Sequence, residues 1–272
     1  MSVSSDIVRR FVEPFFLNVA AGLVAAAIIT IVTLCLWRSG RLKKVFNCIL
    51  SKIPRLKGRI WTISWKELQI GSKELLKKIQ EGKIDNTRLF SGDKKTEKNK
   101  LYDELNKPFK PTVIFTPCCR GATIANAMFD TQNDRLPIYV GIRITNPKSA
   151  SNDSTTKKAY KQLHDLSTGP DPCWLEVSTE KHVHFIPNQL IKLLKQNPHE
   201  KLLVLDDYAS SGNSQKLISK TIKNKAKLRM SEIRTASFVV DRAAADHGHV
   251  HFWWKLNEGR RHEFYFPWGK AV

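Results

Sequence analysis

Acid is scarce in this chain. Its 272 residues carry 25 Asp and Glu against 45 Lys and Arg, a formal net charge of +20, which directs attention to anionic partners. Cysteine is scarce too, at five residues. Cys35 and Cys48 lie in or near an apolar segment, and Cys118, Cys119 and Cys173 show no paired framework. The pattern excludes a disulfide-stapled secreted domain and fits a reduced, cytosolic one. No internal repeat is present, and no nucleophile motif supports a Cys–His hydrolase.

What is present begins with an apolar run. Phe15 to Trp37, "FFLNVAAGLVAAAIITIVTLCLW", is 23 residues without a charge. At about 1.5 Å per residue it reaches roughly 34 Å, enough for a hydrocarbon core of about 30 Å. Trp37 stands where an interfacial aromatic belongs. A cleaved signal would have a shorter core and a small-residue cleavage site, so a single transmembrane helix over 15–37 is the expectation, after a short segment 1–14. Arg38, Arg41, Lys43, Lys44, Lys52, Arg55, Lys57 and Arg59 follow the run, against Arg9 and Arg10 before it. The positive-inside bias places the N-terminus outside and the C-terminal bulk in the cytoplasm.

Arg38 to Lys110 hold 20 Lys and Arg against 8 Asp and Glu. Anionic lipid beside the membrane explains this by position alone. Nucleic acid is the alternative, less favoured partner.

Beyond a basic connector, 38–60, the pattern changes. "ISWKELQIGSKELLKKI" sets Ser64 three residues before Glu67, a capping box, and spaces Trp65, Leu68, Leu75 and Ile79 as one helix face. A polar stretch at about 88–110 is an insertion or loop. Short apolar runs then alternate with helical patterns: "TVIFT" (112–116), "IYVGIRI" (138–144), "HVHFI" (182–186), "KLLVL" (201–205) and "RTASFVV" (234–240). This alternation predicts an α/β domain over 61–272 with a mainly parallel sheet flanked by helices. In such sheets ligands bind outside the carboxyl ends of strands.

"KLLVLDDYASSGNS" carries the clearest chemistry. A strand that stops at Asp206-Asp207 and turns through Ser210, Ser211 and Gly212 into a helix offers free backbone N–H groups, suited to phosphate. Ser214 adds a hydroxyl. The two carboxylates, expected at the strand end and outside the core, can take sugar hydroxyls or water on a Mg²⁺ ion. The combination suggests a sugar phosphate.

"LLVLDDYASSGNS" resembles the phosphoribosyl-diphosphate (PRPP) signature of type I phosphoribosyltransferases. "TVIFTPCCRGATIANAMF" is similar to that family's first strand and pyrophosphate loop. "ISWKELQIGSKELLKKI" and "EFYFPWG" resemble the first helix and the ending of its xanthine-guanine branch. The resemblance implies that a nucleophile, usually a base nitrogen, displaces pyrophosphate from C1 of PRPP with Mg²⁺ present. Carried over by position, Asp206, Asp207, Ser210 and Arg120 would be the catalytic set, with Asp206 and Asp207 facing the ribose hydroxyls and an indirectly held Mg²⁺. Ser210, Ser211, Gly212, Asn213 and Ser214 would cradle the 5′-phosphate, while Cys119, Arg120 and Gly121 would form the pyrophosphate loop. The polar stretch after Ile144 would be a mobile loop. Purine-using relatives often carry an Asp where Ser210 stands, and a Lys near Asp241 and Arg242. The implied base site comprises Asp241, Arg242, Phe264 and Phe266.

"DHGHVHFWW" sets His247, His249 and His251 at alternating positions, one face of a strand. A metal there would lack a companion cysteine or carboxylate, so a solvated or substrate-facing strand is the preferred expectation. The partners implied are PRPP, a nucleobase-like acceptor, membrane lipid and, as a homodimer, a second copy of the chain. The competing functions are a non-catalytic PRPP or nucleotide sensor and a nucleic-acid-binding regulator.

Overall fold

Ser64 and Glu67 start the first helix, α1 (Trp65–Glu81), through reciprocal bonds. The Glu67 N–H donates to Ser64 Oγ at 3.2 Å, and the Ser64 N–H donates to Glu67 Oε2 at 2.8 Å. Leu68, Ser72, Leu75 and Ile79 form its buried face. The computed structural model describes residues 60–84, 103, 105–129, 136–148, 154–258 and 263–270. The apolar run 15–37, the connector up to residue 59 and most of the polar insertion lie outside the described residues. Among the described residues no helix is long and apolar enough to cross a membrane. The chain divides into two compact units, Met1–Thr62 and Ile63–Val272, and of the first only the strand β1 (Ile60–Thr62) is described.

The second unit is built on five strands: β2 (Val113–Thr116), β3 (Ile138–Val140), β7 (Leu202–Ala209), β8 (Ile233–Asp241) and β9 (Phe252–Asn257). Their order is β3-β2-β7-β8-β9, and every neighbouring pair is parallel. Both faces of such a sheet are covered, so its strands read as continuous apolar runs without alternation. One core face gathers α1, α2 (Cys119–Met128) and Phe264 and Phe266. The other gathers α4 (Asn188–Gln196) and α5 (Asn213–Ala226). Each Leu, Ile or Phe buried in this way contributes about 1.5–3 kcal/mol.

A second, antiparallel sheet has the order β4-β6-β5, from β4 (Ile142–Thr145), β5 (Trp174–Ser178) and β6 (His182–Pro187). The run expected as one strand over 138–144 therefore divides at Gly141: β3 joins the parallel sheet and β4 the antiparallel one. The helix α3 (Ser154–Thr168) takes in the end of the polar stretch after Ile144, 145–158, expected as a loop. The short strands β10 (Glu263–Phe266) and β11 (Gly269–Lys270) pair antiparallel. From β2 the chain passes through α2 to β3 on one side, and from β7 through α5 to β8 on the other. The gap between the carboxyl ends of β2 and β7 is thus the sheet's topological switch point.

Candidate functional site

Asp206 and Asp207 lie inside β7, which runs on to Ala209. They are 3% and 1% exposed. The expectation that they sit at the strand end and outside the core is therefore corrected: pairing of β7 with β8 continues through Ala209 and Val240 and carries both acids into the interior. Asp206 Oδ1 accepts the Asp207 N–H at 2.9 Å, and Oδ2 lies 3.5 Å from Arg143 Nη1. Burial, then the charge of Asp207, pushes Asp206 up to about 8 against the opposing pull of Arg143. Neither carboxylate oxygen of Asp207 has a hydrogen-bond partner among the described residues. Arg120 Nη1 stands 3.9 Å from Asp207 Oδ2.

Two helix N-termini open beside this pair. At the first, Cys118 caps α2 without a side-chain cap bond, and the first-turn N–H groups of Cys119 and Gly121 face outward as in any helix N-terminus. A Cβ at Gly121 would stand 2.6 Å from the Leu205 carbonyl oxygen, so only glycine lets the helix sit this close to β7. Burial and then Asp206 push the Cys118 thiol up to about 11. At the second, Ser210, Ser211 and Gly212 turn the chain from β7 into α5, with Gly212 left-handed at φ 70°. A Cβ there would be strained and would meet His249 Cβ at 2.8 Å. Ser210 and Asn213 are exposed, and the Asn213 N–H points to Ser211 Oγ at 3.4 Å. Ser214 Oγ is 3.1 Å from His184 Nε2. Burial, then Arg143 and His182, lowers His184 to about 3, so its ring is neutral near pH 7.

The third part of the predicted set lies one strand along. The last β7–β8 pair is Ala209–Val240, which puts Asp241 level with Ser210. Asp241 Oδ1 accepts from Tyr208 Oη and from Asn257 Nδ2, each at 2.6 Å. Burial and then this bond raise the Tyr208 pKa. Arg242 pairs with Glu258 at 2.6 Å.

Phe264 and Phe266 do not join the site. They are 2% and 1% exposed and belong to the core, where Phe266 stacks on Trp268 with centroids 5.0 Å apart. Their ring faces are taken, which corrects their placement as a stacking platform for a base. The histidine triplet also differs from expectation. His247 ends the helix α6 (Arg242–His247), Gly248 turns the chain, and β9 begins only at Phe252, so the three do not share one face of a strand.

Three side chains of the site went unassigned in the sequence: Cys118 and Arg143 beside the acid pair, and His184 beside Ser214. Each left a trace there. Arg143 is a charge within an apolar run, and His184 sits inside "HVHFI". Cys118 Sγ and the carboxylates of Asp206 and Asp207 offer atoms within 4.8 Å of one another, a group that could hold a metal ion. The orphaned oxygens of Asp207 suit a hard cation or a sugar diol; the thiol suits neither well.

No family model matches the chain, and no curated protein matches it. Several solved structures do. A purine phosphoribosyltransferase from Pyrococcus horikoshii Ot3 is 10% identical with a TM-score of 0.37, covering 79% of this chain and 96% of its own. A hypothetical protein from Neisseria gonorrhoeae with bound ppGpp is 11% identical with a TM-score of 0.45, covering 77% and 89%. The Helicobacter pylori xanthine-guanine-hypoxanthine phosphoribosyltransferase is 16% identical with a TM-score of 0.44, covering 77% and 94%. At these identities no residue role passes from them to this chain.

Proposed function

We propose that residues 61–272 are a phosphoribosyltransferase-type domain that binds PRPP with Mg²⁺ and transfers its phosphoribosyl group to a nucleobase-like acceptor. We place this domain in the cytoplasm, anchored by residues 15–37 with the N-terminus outside and aided by the basic connector on anionic lipid. The observation that carries the activity is one arrangement: an acid pair flanked by two helix N-termini at the switch point of a parallel sheet. Two anion pockets with carboxylates between them fit a ligand bearing phosphate at both ends of a hydroxylated sugar.

The division of labour follows from that fit. The turn from Ser210 to Ser214 holds the 5′-phosphate through backbone N–H groups, with Ser214 steadied by His184. The first turn of α2, with Arg120, holds the diphosphate. Asp206 and Asp207 take the ribose hydroxyls and orient C1 toward the acceptor. When the acceptor nitrogen bonds to C1, the C1–O bond breaks and its electron pair leaves with pyrophosphate. Donors aimed at that departing charge lower the barrier. Asp206 and Asp207 would hold Mg²⁺ when it is bound, and the ion would supply further neutralisation of the diphosphate. The acceptor's proton passes to solvent or to a buffer base, since the Ser210 hydroxyl is a poor base.

A second reading has an observation of its own. Asp241 is already satisfied by Tyr208 and Asn257 at 2.6 Å, and no carboxylate replaces Ser210, which suits a sensor that binds PRPP without turning it over. Pyrophosphate release by the purified full chain, with PRPP, Mg²⁺ and a panel of bases, tests the first reading. Calorimetric PRPP binding without release from any base selects the sensor, and absence of binding removes both.

A further inference from the structure

A groove of about 310 Å³ lies on the far side of the Ser210–Gly212 turn, between α5 and the 248–251 segment. Lys216, Lys220 and Lys223 line it at i, i+4 and i+7 of one helix face, with Thr235, His249 and His251 opposite. No acidic side chain lines it, and none of the three lysines pairs with a carboxylate among the described residues. Like charges at this spacing repel one another, and Lys216 in the first turn also opposes the helix dipole. The cost falls on the lysine pairs and on Lys216, whereas Lys223 lies in the last turn, where the dipole favours a cation. An anion in the groove would add attractions that offset these repulsions.

The opposite wall is set to donate. His251 Nδ1 accepts the Thr235 N–H at 3.0 Å, which leaves the ring proton on Nε2. Thr235 Oγ1 donates to the His249 carbonyl at 3.0 Å and so fixes the rim. Burial lowers His251 to about 3 and His249 to about 4, with Arg234 and Lys216 respectively as the next causes. Both rings are neutral near pH 7, chiefly because burial disfavours the charged imidazolium. Lys216 to Lys223 spans about 10 Å along the helix. That suits a short chain of phosphates better than the longer track of a nucleic-acid backbone.

We propose that this groove is a second anion site, separate from the crevice at Asp206 and Asp207, and that its ligand is an oligophosphate, either inorganic or the phosphate tail of a nucleotide. Its occupant would bear on the PRPP turn, since the Lys216 N–H donates to the Gly212 carbonyl at 2.9 Å and His249 packs against Gly212.

The test is calorimetry on the purified full chain with tripolyphosphate and, separately, ATP, in the absence of PRPP. Lys216→Gln, Lys220→Gln and Lys223→Gln together should weaken tripolyphosphate at least tenfold. Lys192→Gln with Lys195→Gln on α4 should leave it unchanged, as should Asp206→Asn with Asp207→Asn. Titration should also move the ring-proton resonances of His249 and His251. Equal affinity for the two probes means the phosphate chain alone is read, and tighter ATP means the nucleoside is held as well. Either supports the site. An equal fall in the α4 control, or loss in Arg120→Ala with the triple variant unaffected, overturns it. A single-stranded oligonucleotide that binds more tightly than tripolyphosphate, with the same lysine dependence, overturns it in favour of nucleic acid. None of these outcomes depends on PRPP turnover.

Discussion

Replacing Asp206 and Asp207 together by Asn should strengthen the fold while removing PRPP binding, two effects of opposite sign from one perturbation. Burial and the charge of Asp207 push Asp206 up to about 8 in the folded chain, against about 3.9 for a free aspartate. Between those values the unfolded chain has lost the proton and the folded chain has kept it. Stability from this group is therefore fully present below about pH 4, is lost as pH rises toward 8, and is level above that. At about 1.4 kcal/mol per pH unit, the gap bounds the penalty near pH 8 at roughly 6 kcal/mol. The neighbouring Arg143 and the partners a buried amide still needs reduce what Asn recovers to about 1–3 kcal/mol. For a domain of this size that is on the order of 2–10 °C in melting temperature. The gain should shrink as pH falls from 8 to 5. Over the same range the variant should bind Mg²⁺–PRPP more than tenfold more weakly, about 1.4 kcal/mol or more. Thermal unfolding at pH 5, 6.5 and 8, with calorimetry of PRPP binding, reads both effects. A variant that melts below the parent at pH 8, or a folded variant with unchanged PRPP affinity, refutes the reasoning.

Gly212→Ala should cost about 1–3 kcal/mol in urea unfolding and weaken PRPP, because φ is 70° and His249 stands 2.8 Å from the new methyl group; Ser211→Ala, measured beside it, should cost far less. Tyr208 and Asn257 occupy one oxygen of Asp241; if the other reads the base, a carboxylate oxygen accepts and does not donate, and an amino-bearing base should outcompete guanine for the PRPP-loaded chain by about 1–3 kcal/mol. Tighter guanine, lost in Arg242→Ala and kept in Asp241→Ala, would show that Arg242 reads the base. Protease added to intact cells should leave residues 61–272 uncut, and digestion of that domain would reverse the proposed orientation.

The elements legible in the sequence were those whose signal is local. The Ser64–Glu67 box and the spacing of Leu68, Leu75 and Ile79 announced α1, because a cap and a buried stripe lie within one helix. The apolar runs at β2, β7 and β8 were legible because central parallel strands are buried on both faces. The division at Gly141 was not, since the partners that separate β3 from β4 are β2 and β6, both distant in sequence. Burial of the acid pair was hidden for the same reason: β8 draws Asp206 inward by pairing beyond it. Arg143 and His184 reach the site from a second sheet whose antiparallel pairing leaves no spacing rule. His247 was misplaced because a short helix and a left-handed Gly248 can interrupt an alternating pattern without altering its polarity.

The helix α3 fully buries none of its side chains; its half-buried face includes Tyr160, tilted against Phe185, and Tyr160 Oη and His164 Nδ1 meet Glu176 at 3.1 and 2.7 Å. Selection for a folded chain therefore has little hold on the exposed positions of this helix. Its sequence can drift at the rate of a surface loop while β2 and β7 stay fixed by the interior they share. Substitutions that change what the domain recognises have room to accumulate here without first passing a stability threshold. Divergence among descendants of this chain should be read from α3 before any other helix.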